Sequence, residues 1–174
     1  VNMRIRLFYC GMRALNFLAD LTNYLMLELG QPMHAFDSRK VEKIRIKRFD
    51  KPFVFTTLDG VERNIDENTL MICNDNTPVA IAGIMGGENS KITDDVKTVL
   101  FEAATFKGSN IRKSAKRLGL RTDASGIFEK GLDPNNAQAA IDRACALIQE
   151  LGCGEVVGGM VDVCQPLKEN NRIK

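Results

Sequence analysis

The stretch Thr22-Asn23-Tyr24, followed by Glu28-Leu29-Gly30-Gln31-Pro32-Met33-His34-Ala35-Phe36-Asp37, carries the only histidine in 174 residues. Imidazole changes charge within the physiological range, so one histidine gives one place for that proton chemistry. Gln31-Pro32 predicts a turn from which the His34 ring can point into a cleft. The ordinary alternative is that the ring hydrogen-bonds nearby backbone and only fixes that turn.

Glu102 is the second candidate. It interrupts the apolar run Val99-Leu100-Phe101-Glu102-Ala103-Ala104, and a carboxylate there either faces solvent or is held in a pocket by a specific partner. Strand alternation favours the solvated face. The segment Ala80-Ile81-Ala82-Gly83-Ile84-Met85-Gly86-Gly87 reads as a strand entering a glycine turn, where backbone amides can approach a ligand closely. It lacks Gly-x-Gly-x-x-Gly spacing and a following helix, which argues against a dinucleotide site. Thr22-Asn23 and Thr122-Asp123-Ala124-Ser125 offer small polar groups, which helix-end hydrogen bonding alone would explain. Arg112, Lys113, Lys116, Arg117 and Arg121 form a basic stripe, usually a solvated face and sometimes a phosphate contact. Neither a Cys-His nor a Ser-His nucleophile can be placed.

These residues need positioning elements. Leu15, Leu18, Ala19, Leu21, Leu25, Met26 and Leu29 recur at helical spacing and predict a helix over 12–29, capped by Gly30, that delivers Gln31 to Asp37 into a turn. Lys43 to Lys47 alternates as a strand, and 53–58 with 61–65 flanks Asp59-Gly60, a hairpin signal. Leu70 to Cys73 and Pro78 to Ile84 read as strands around Asn74 to Thr77, and Thr98 to Ala103 as another. Ser109 is expected to cap a helix with Ile111, Ala115 and Leu118 on one face, closed by Gly119. Asp133-Pro134 opens a longer helix with Ala137, Ala140, Ile141, Ala144, Leu147, Ile148 and Leu151 inward, ending at Gly152. Val156 to Val163 suggests a final strand. The sum is an α+β domain, antiparallel sheet layers packed with a few helices. It is expected to be one domain over 1–166 with a polar tail over 167–174.

Bulk composition narrows the class further. With 44% hydrophobic and 26% charged residues, the chain has an ordinary globular composition, and a net charge of +2 makes no case for nucleic acid. Five scattered cysteines, Cys10, Cys73, Cys145, Cys153 and Cys164, without a Cys-x-x-Cys pair, read as reduced cytosolic thiols and argue against structural zinc. No apolar run suits a membrane span, and Val1 to Arg6 lacks the apolar core of a signal peptide, so the start reads as a cut within a longer chain.

The blocks Asn23-Tyr24, Glu28 to Asp37, Leu58-Asp59-Gly60, Ala80 to Gly87, Ile111-Arg112 and Arg121 to Ser125, in this order, resemble the editing region of the phenylalanyl-tRNA synthetase beta subunit. The resemblance runs from about Gly11 to Val163. It implies a cytoplasmic, editing-type α+β domain that hydrolyses tyrosine wrongly attached to phenylalanine tRNA. His34, Asn23 and Thr122 would then surround the scissile ester, with His34 orienting substrate or water. Thr22, Ala82, Gly83, Glu102 and Ala124 would contact substrate, Glu102 accepting from the tyrosine para hydroxyl and Gly83 leaving room for the ring. The basic stripe would meet the tRNA acceptor end. Where Gly126-Ile127 and Lys130 stand, the family often has aromatic or basic residues and arginine, which weakens a bidentate phosphate contact there. No metal or cofactor is implied in this region; ATP and magnesium would serve the synthetic site in the alpha subunit, a partner reached through the rest of the beta subunit. A non-catalytic RNA-binding or assembly module of the synthetase is the other reading.

Overall fold

A computed structural model describes residues 2–164 of the chain. Its elements in order are α1 (Asn2–Tyr9), α2 (Phe17–Leu29), β1 (Met33–Asp37), β2 (Ile44–Lys47), β3 (Phe53–Thr56), β4 (Glu62–Ile65), β5 (Met71–Asn74), β6 (Thr77–Ile81), β7 (Met85–Gly86), β8 (Val99–Ala103), α3 (Gly108–Arg117), α4 (Asp123–Phe128) and α5 (Asn136–Glu150). All strand pairings are antiparallel, in three groups: β1–β8, β2–β5–β6–β7 and β3–β4. The class is α+β, as the sequence predicts.

The predicted helix over 12–29 starts later, and a separate helix precedes it. Gly11, at φ 78°, follows α1. Asn16 then caps α2, its side chain accepting from the Ala19 amide at 2.9 Å. Leu15 therefore lies outside the helix and is 61% exposed. Gly30, left-handed at φ 68°, ends α2 as expected. Gln31 to Asp37 is no turn beyond its first residues, because Met33 to Asp37 forms β1 along β8, with His34 opposite Glu102 and Phe36 opposite Leu100.

Residues opposite one another share a face. One face of the β1–β8 ribbon, carrying Met33 and Phe101, packs with Leu21, Leu25, Ala144 and Leu147 of the helical layer. The other presents His34, Phe36, Leu100 and Glu102, with Phe36 and Leu100 in the larger core built from β3, β5, β6, α3 and α4. The ribbon is thus the wall between two apolar clusters. Gln31, fully buried, ties its end by donating from Nε2 to the Ala104 carbonyl at 2.9 Å.

The hairpin turns at Thr57 to Gly60, where Gly60 (φ 75°) donates back to the Thr57 carbonyl, and Asp59 holds Arg63 at 2.6 Å. Thr57 bridges to Gly87, and the Leu58 amide donates to the Gly86 carbonyl at 3.0 Å, joining this hairpin to the four-stranded sheet. The strand expected over 78–84 stops at Ile81; Ala82 to Ile84 turns, and Met85 starts β7. Cys73 on β5 is buried in the larger core, whereas Cys10 and Cys153 are exposed.

Three further expectations change. Ser109 lies inside α3, whose cap position is Lys107. Leu151 follows α5 and is 51% exposed. Val156 to Val163 forms no strand: Val157, Val161 and Val163 are 79%, 90% and 91% exposed, so β-branched residues there lack a partner strand. The tail predicted over 167–174 lies outside the described residues.

Candidate functional site

His34 and Glu102 meet because of register. Each stands one residue in from the end of its strand, and the pairing sets them directly across the ribbon on the face turned to the larger core. Both are half-buried, and among the described residues neither side chain makes a hydrogen bond or ion pair. Burial alone therefore sets their chemistry. It lowers the His34 pKa from 6.5 to about 4 and raises that of Glu102 from 4.5 to about 7. At neutral pH the imidazole is uncharged, and the carboxyl stands near half-ionisation.

Packing holds the His34 ring. Phe36, two residues along on the same face, meets it edge-on with centroids 4.5 Å apart. Gly86 of β7 also stands beside it, so close that a Cβ there would lie 2.9 Å from the imidazole Cε1 and 2.9 Å from Leu58 Cδ1. Phe36 and Gly86 beside the ring, and Leu58 beside Gly86, are what residue-by-residue reading misses. Period-two alternation signals Phe36, and the glycine turn signals Gly86. Leu58 has no signal, because hairpin docking brings it there.

The β6–β7 connection links this place to α4. Thr122 caps α4 in a capping box with Ser125, and its hydroxyl donates to the Ile84 carbonyl at 2.9 Å. That hydroxyl is committed to holding the turn. Ala124, the second residue of α4, is half-buried against the larger core. Ala82 is 1% exposed, with its amide donating to Leu70. Gly83, at φ 66°, would direct a Cβ onto Phe128, Ile111 and Phe106 at 3.0–3.1 Å, so its missing side chain serves core packing as well as backbone conformation.

Thr22 and Asn23 sit half-buried on α2, which packs on the other face of the ribbon; the Thr22 hydroxyl donates to Ala19 within its own helix at 3.1 Å. No hydrogen bond among the described residues ties either to His34. The basic stripe divides. Arg112, Lys113 and Lys116 are exposed on α3 without ion pairs among the described residues, Arg117 pairs with Asp66 at 2.8 Å, and Arg121, beyond the helix, pairs with Glu129 at 2.8 Å. Asp37 is claimed by Arg39 at 2.6 Å, whose hydrogen bonds hold its carboxyl below the ordinary range, so it braces the end of β1.

Two surface hollows lie on α1, one lined by Arg6, Leu7, Tyr9, Cys10, Tyr24, Leu27 and Glu28, the other by Arg4, Ile5, Phe8 and Tyr9. Neither includes His34 or Glu102. Among the described residues no group of three or more His, Cys, Asp or Glu side chains could hold a metal ion. No described helix is long and apolar enough to cross a membrane. The arrangement can therefore do two things: orient a water or an ester with a neutral imidazole, and accept a hydrogen bond from a polar group on an otherwise apolar ligand.

Comparison with known proteins gives a consistent result. A family model described as the B3/4 domain matches residues 1–153. The phenylalanine–tRNA ligase beta subunit of Clostridium tetani is 51% identical over 172 residues, covering 97% of this chain and 22% of the relative. That of Clostridium acetobutylicum is 48% identical over 174 residues, covering 99% of this chain and 22% of the relative. That of Syntrophus aciditrophicus is 49% identical over 162 residues, covering 92% of this chain and 20% of the relative. The chain spans about a fifth of the length of the curated relatives it matches.

Proposed function

From the premise that the chain belongs to the B3/4 domain family, in the form similar to phenylalanine–tRNA ligase beta subunits, we propose that it is a post-transfer editing domain: it hydrolyses the ester of tyrosine wrongly joined to phenylalanine tRNA. The observation that carries this reading is the pairing of His34 with Glu102, two half-buried groups on one face that the other described side chains leave unbonded.

A half-buried acceptor without a donor among the described residues suits a ligand that brings one. The para hydroxyl of tyrosine does, and phenylalanine does not, so phenylalanine leaves the carboxylate desolvated and unpaired; sites built around a hydroxyl discriminate strongly on this basis. The synthetic pocket faces the harder task of rejecting one added hydroxyl, which is why a second, hydrolytic site is useful.

In the reaction, a water oxygen bonds to the ester carbonyl carbon, the carbon–oxygen bond to the ribose breaks, and the ribose oxygen takes up a proton. Tyrosine and uncharged tRNA leave. With a pKa of about 4, His34 is a weak base at pH 7 but a full hydrogen-bonding group. Its role is to orient the water or stabilise the developing oxyanion, which an activated ester allows to suffice. The turn at Gly83 and strand β7 form the neighbouring wall, and Arg112, Lys113 and Lys116 meet the acceptor-end phosphates. ATP and magnesium serve the synthetic site elsewhere in a cytoplasmic synthetase, whose alpha subunit is a partner of the longer chain.

The test is release of tyrosine from tyrosyl-tRNA of the phenylalanine type, with phenylalanyl-tRNA as comparison. Wild-type chain should release tyrosine faster than phenylalanine, and His34→Ala should slow release by about 10- to 100-fold. Unchanged hydrolysis in that variant removes His34 from the reaction. The exposed cations Arg112, Lys113 and Lys116 of α3 favour a second reading, a non-catalytic RNA-binding module. Tight tRNA binding with no hydrolysis, by this chain and within the full synthetase, would select it.

A further inference from the structure

We propose that Gly86 and Leu58 form the seat that positions the His34 imidazole, which makes Gly86 a positioning residue for ester hydrolysis; the catalytic half of this statement rests on the functional reading above.

A ring that orients a water must itself be oriented, and hydrogen bonds from the protein usually do this. His34 has none among the described residues, so contact must do it. Phe36 closes one side at 4.5 Å between centroids. Gly86 closes another, with its absent Cβ only 2.9 Å from the ring Cε1 and 3.1 Å from Nε2. Carbon atoms at rest stand about 3.5–4.0 Å apart, so the imidazole occupies space that any other residue at 86 would claim. Leu58 flanks the same space, its Cδ1 lying 2.9 Å from the position a Gly86 Cβ would take. The hairpin tip is tethered there by the Leu58 amide on the Gly86 carbonyl at 3.0 Å and the Thr57 to Gly87 bridge.

Conformation does not explain this glycine, since Gly86 is not among those with positive φ. Nor does the backbone of the fold. At the adjacent Gly87 a Cβ would meet the Phe55 ring and the Val79 carbonyl, which would disturb the sheet. At Gly86 the atoms in the way are ends of flexible side chains, so alanine should fold and move the ring instead. The charged groups near the ring are Glu102 across the ribbon and Asp59 beside Leu58, the latter held by Arg63 at 2.6 Å.

Because the chain has one histidine, proton NMR of the 174-residue protein gives one imidazole Cε1–H resonance. In the wild type it should carry a ring-current shift from Phe36 and titrate only as pH nears 4. In Gly86→Ala the shift should collapse and titration should move up toward about 6.5. Tyrosyl-tRNA deacylation should lose about 100-fold in kcat while KM stays within about threefold, the pattern of misplacement rather than lost affinity. Gly126→Ala, on α4 with open space around the new methyl, should behave as wild type in both measurements. Leu58→Ala removes one wall of the seat and should also weaken the Phe36 shift, deciding the matter if Gly86→Ala does not fold. A wild-type shift and titration in Gly86→Ala, or in Leu58→Ala alone when the former is unfolded, overturns the seat. If the wild type hydrolyses no tyrosyl ester, the functional reading fails while the resonance still judges the seat.

Discussion

Glu102 makes the site selective and also costs the fold something, and both effects should appear in one pH series. Its unfolded carboxyl ionises near 4.5 and its folded one at about 7, so between those values the folded state holds the extra proton and stability declines as pH rises. Glu102→Gln abolishes this slope: the variant should match the wild type near pH 4 and gain on it progressively up to about pH 7, as measured by urea unfolding. His34 acts oppositely. With a folded pKa of about 4 against 6.5 unfolded, it removes stability as pH falls between them. For function, the ionised form of Glu102 makes the stronger, charge-assisted hydrogen bond to a phenol. Preference for tyrosyl over phenylalanyl ester should therefore rise from pH 6 to pH 8 in the wild type and vanish in Glu102→Gln; a preference independent of pH in both proteins would contradict the assignment. Residue types alone identify His34 as singular, but strand alternation assigns Glu102 to solvent. That reading fails because β8 is covered on both faces, one by helices and one by the larger core.

Elements were legible where local chemistry set them. The Asp59-Gly60 turn, the strands around Asn74 to Thr77 and the apolar stripe of α5 follow from spacing, and Gly30 ends α2 where expected. β1 was obscured because buried Ala35, Phe36 and Asp37 stand consecutively, which erases alternation in a strand between two cores. α1 was hidden by its arginines, and 156–163 looked like a strand because β-branching reports propensity and not the presence of a partner. The pairing of His34 with Glu102 depends on contact between distant segments, which no window of sequence contains; the family resemblance implies that both face one substrate, not that they stand on facing strands. At this scale Thr122→Ala should destabilise the chain by about 1 kcal/mol, since it deletes a cap and leaves the Ile84 carbonyl short of a donor. Gly83→Ala should cost about 1–3 kcal/mol, because it combines a left-handed backbone with crowding against Phe128, Ile111 and Phe106. Thermal or urea unfolding of the pair measures both, and a Gly83→Ala variant as stable as wild type would show that those rings yield freely.

For the whole molecule, the ribbon matters more than either cluster it divides. Met33 and Phe101 belong to the helical cluster, while Phe36 and Leu100 belong to the other, so neither can be lost without uncovering a face of the same two strands. Unfolding should accordingly be cooperative. Far-UV circular dichroism, dominated by helices such as α2 and α5, and the His34 resonance, which reports the opposite face, should give coincident urea midpoints. Separated midpoints would mean that the helical layer melts first and the ribbon survives on one core.

Cys73 lies within the larger core and burial pushes its thiol pKa up, whereas the thiols of Cys10 and Cys153 are exposed. Alkylating reagents attack the thiolate, so they should label the outer positions promptly and reach β5 only during transient opening of the sheet. The lag before that last sulfur is modified is a built-in clock for the breathing of the four-stranded sheet, whose β7 stands beside the imidazole.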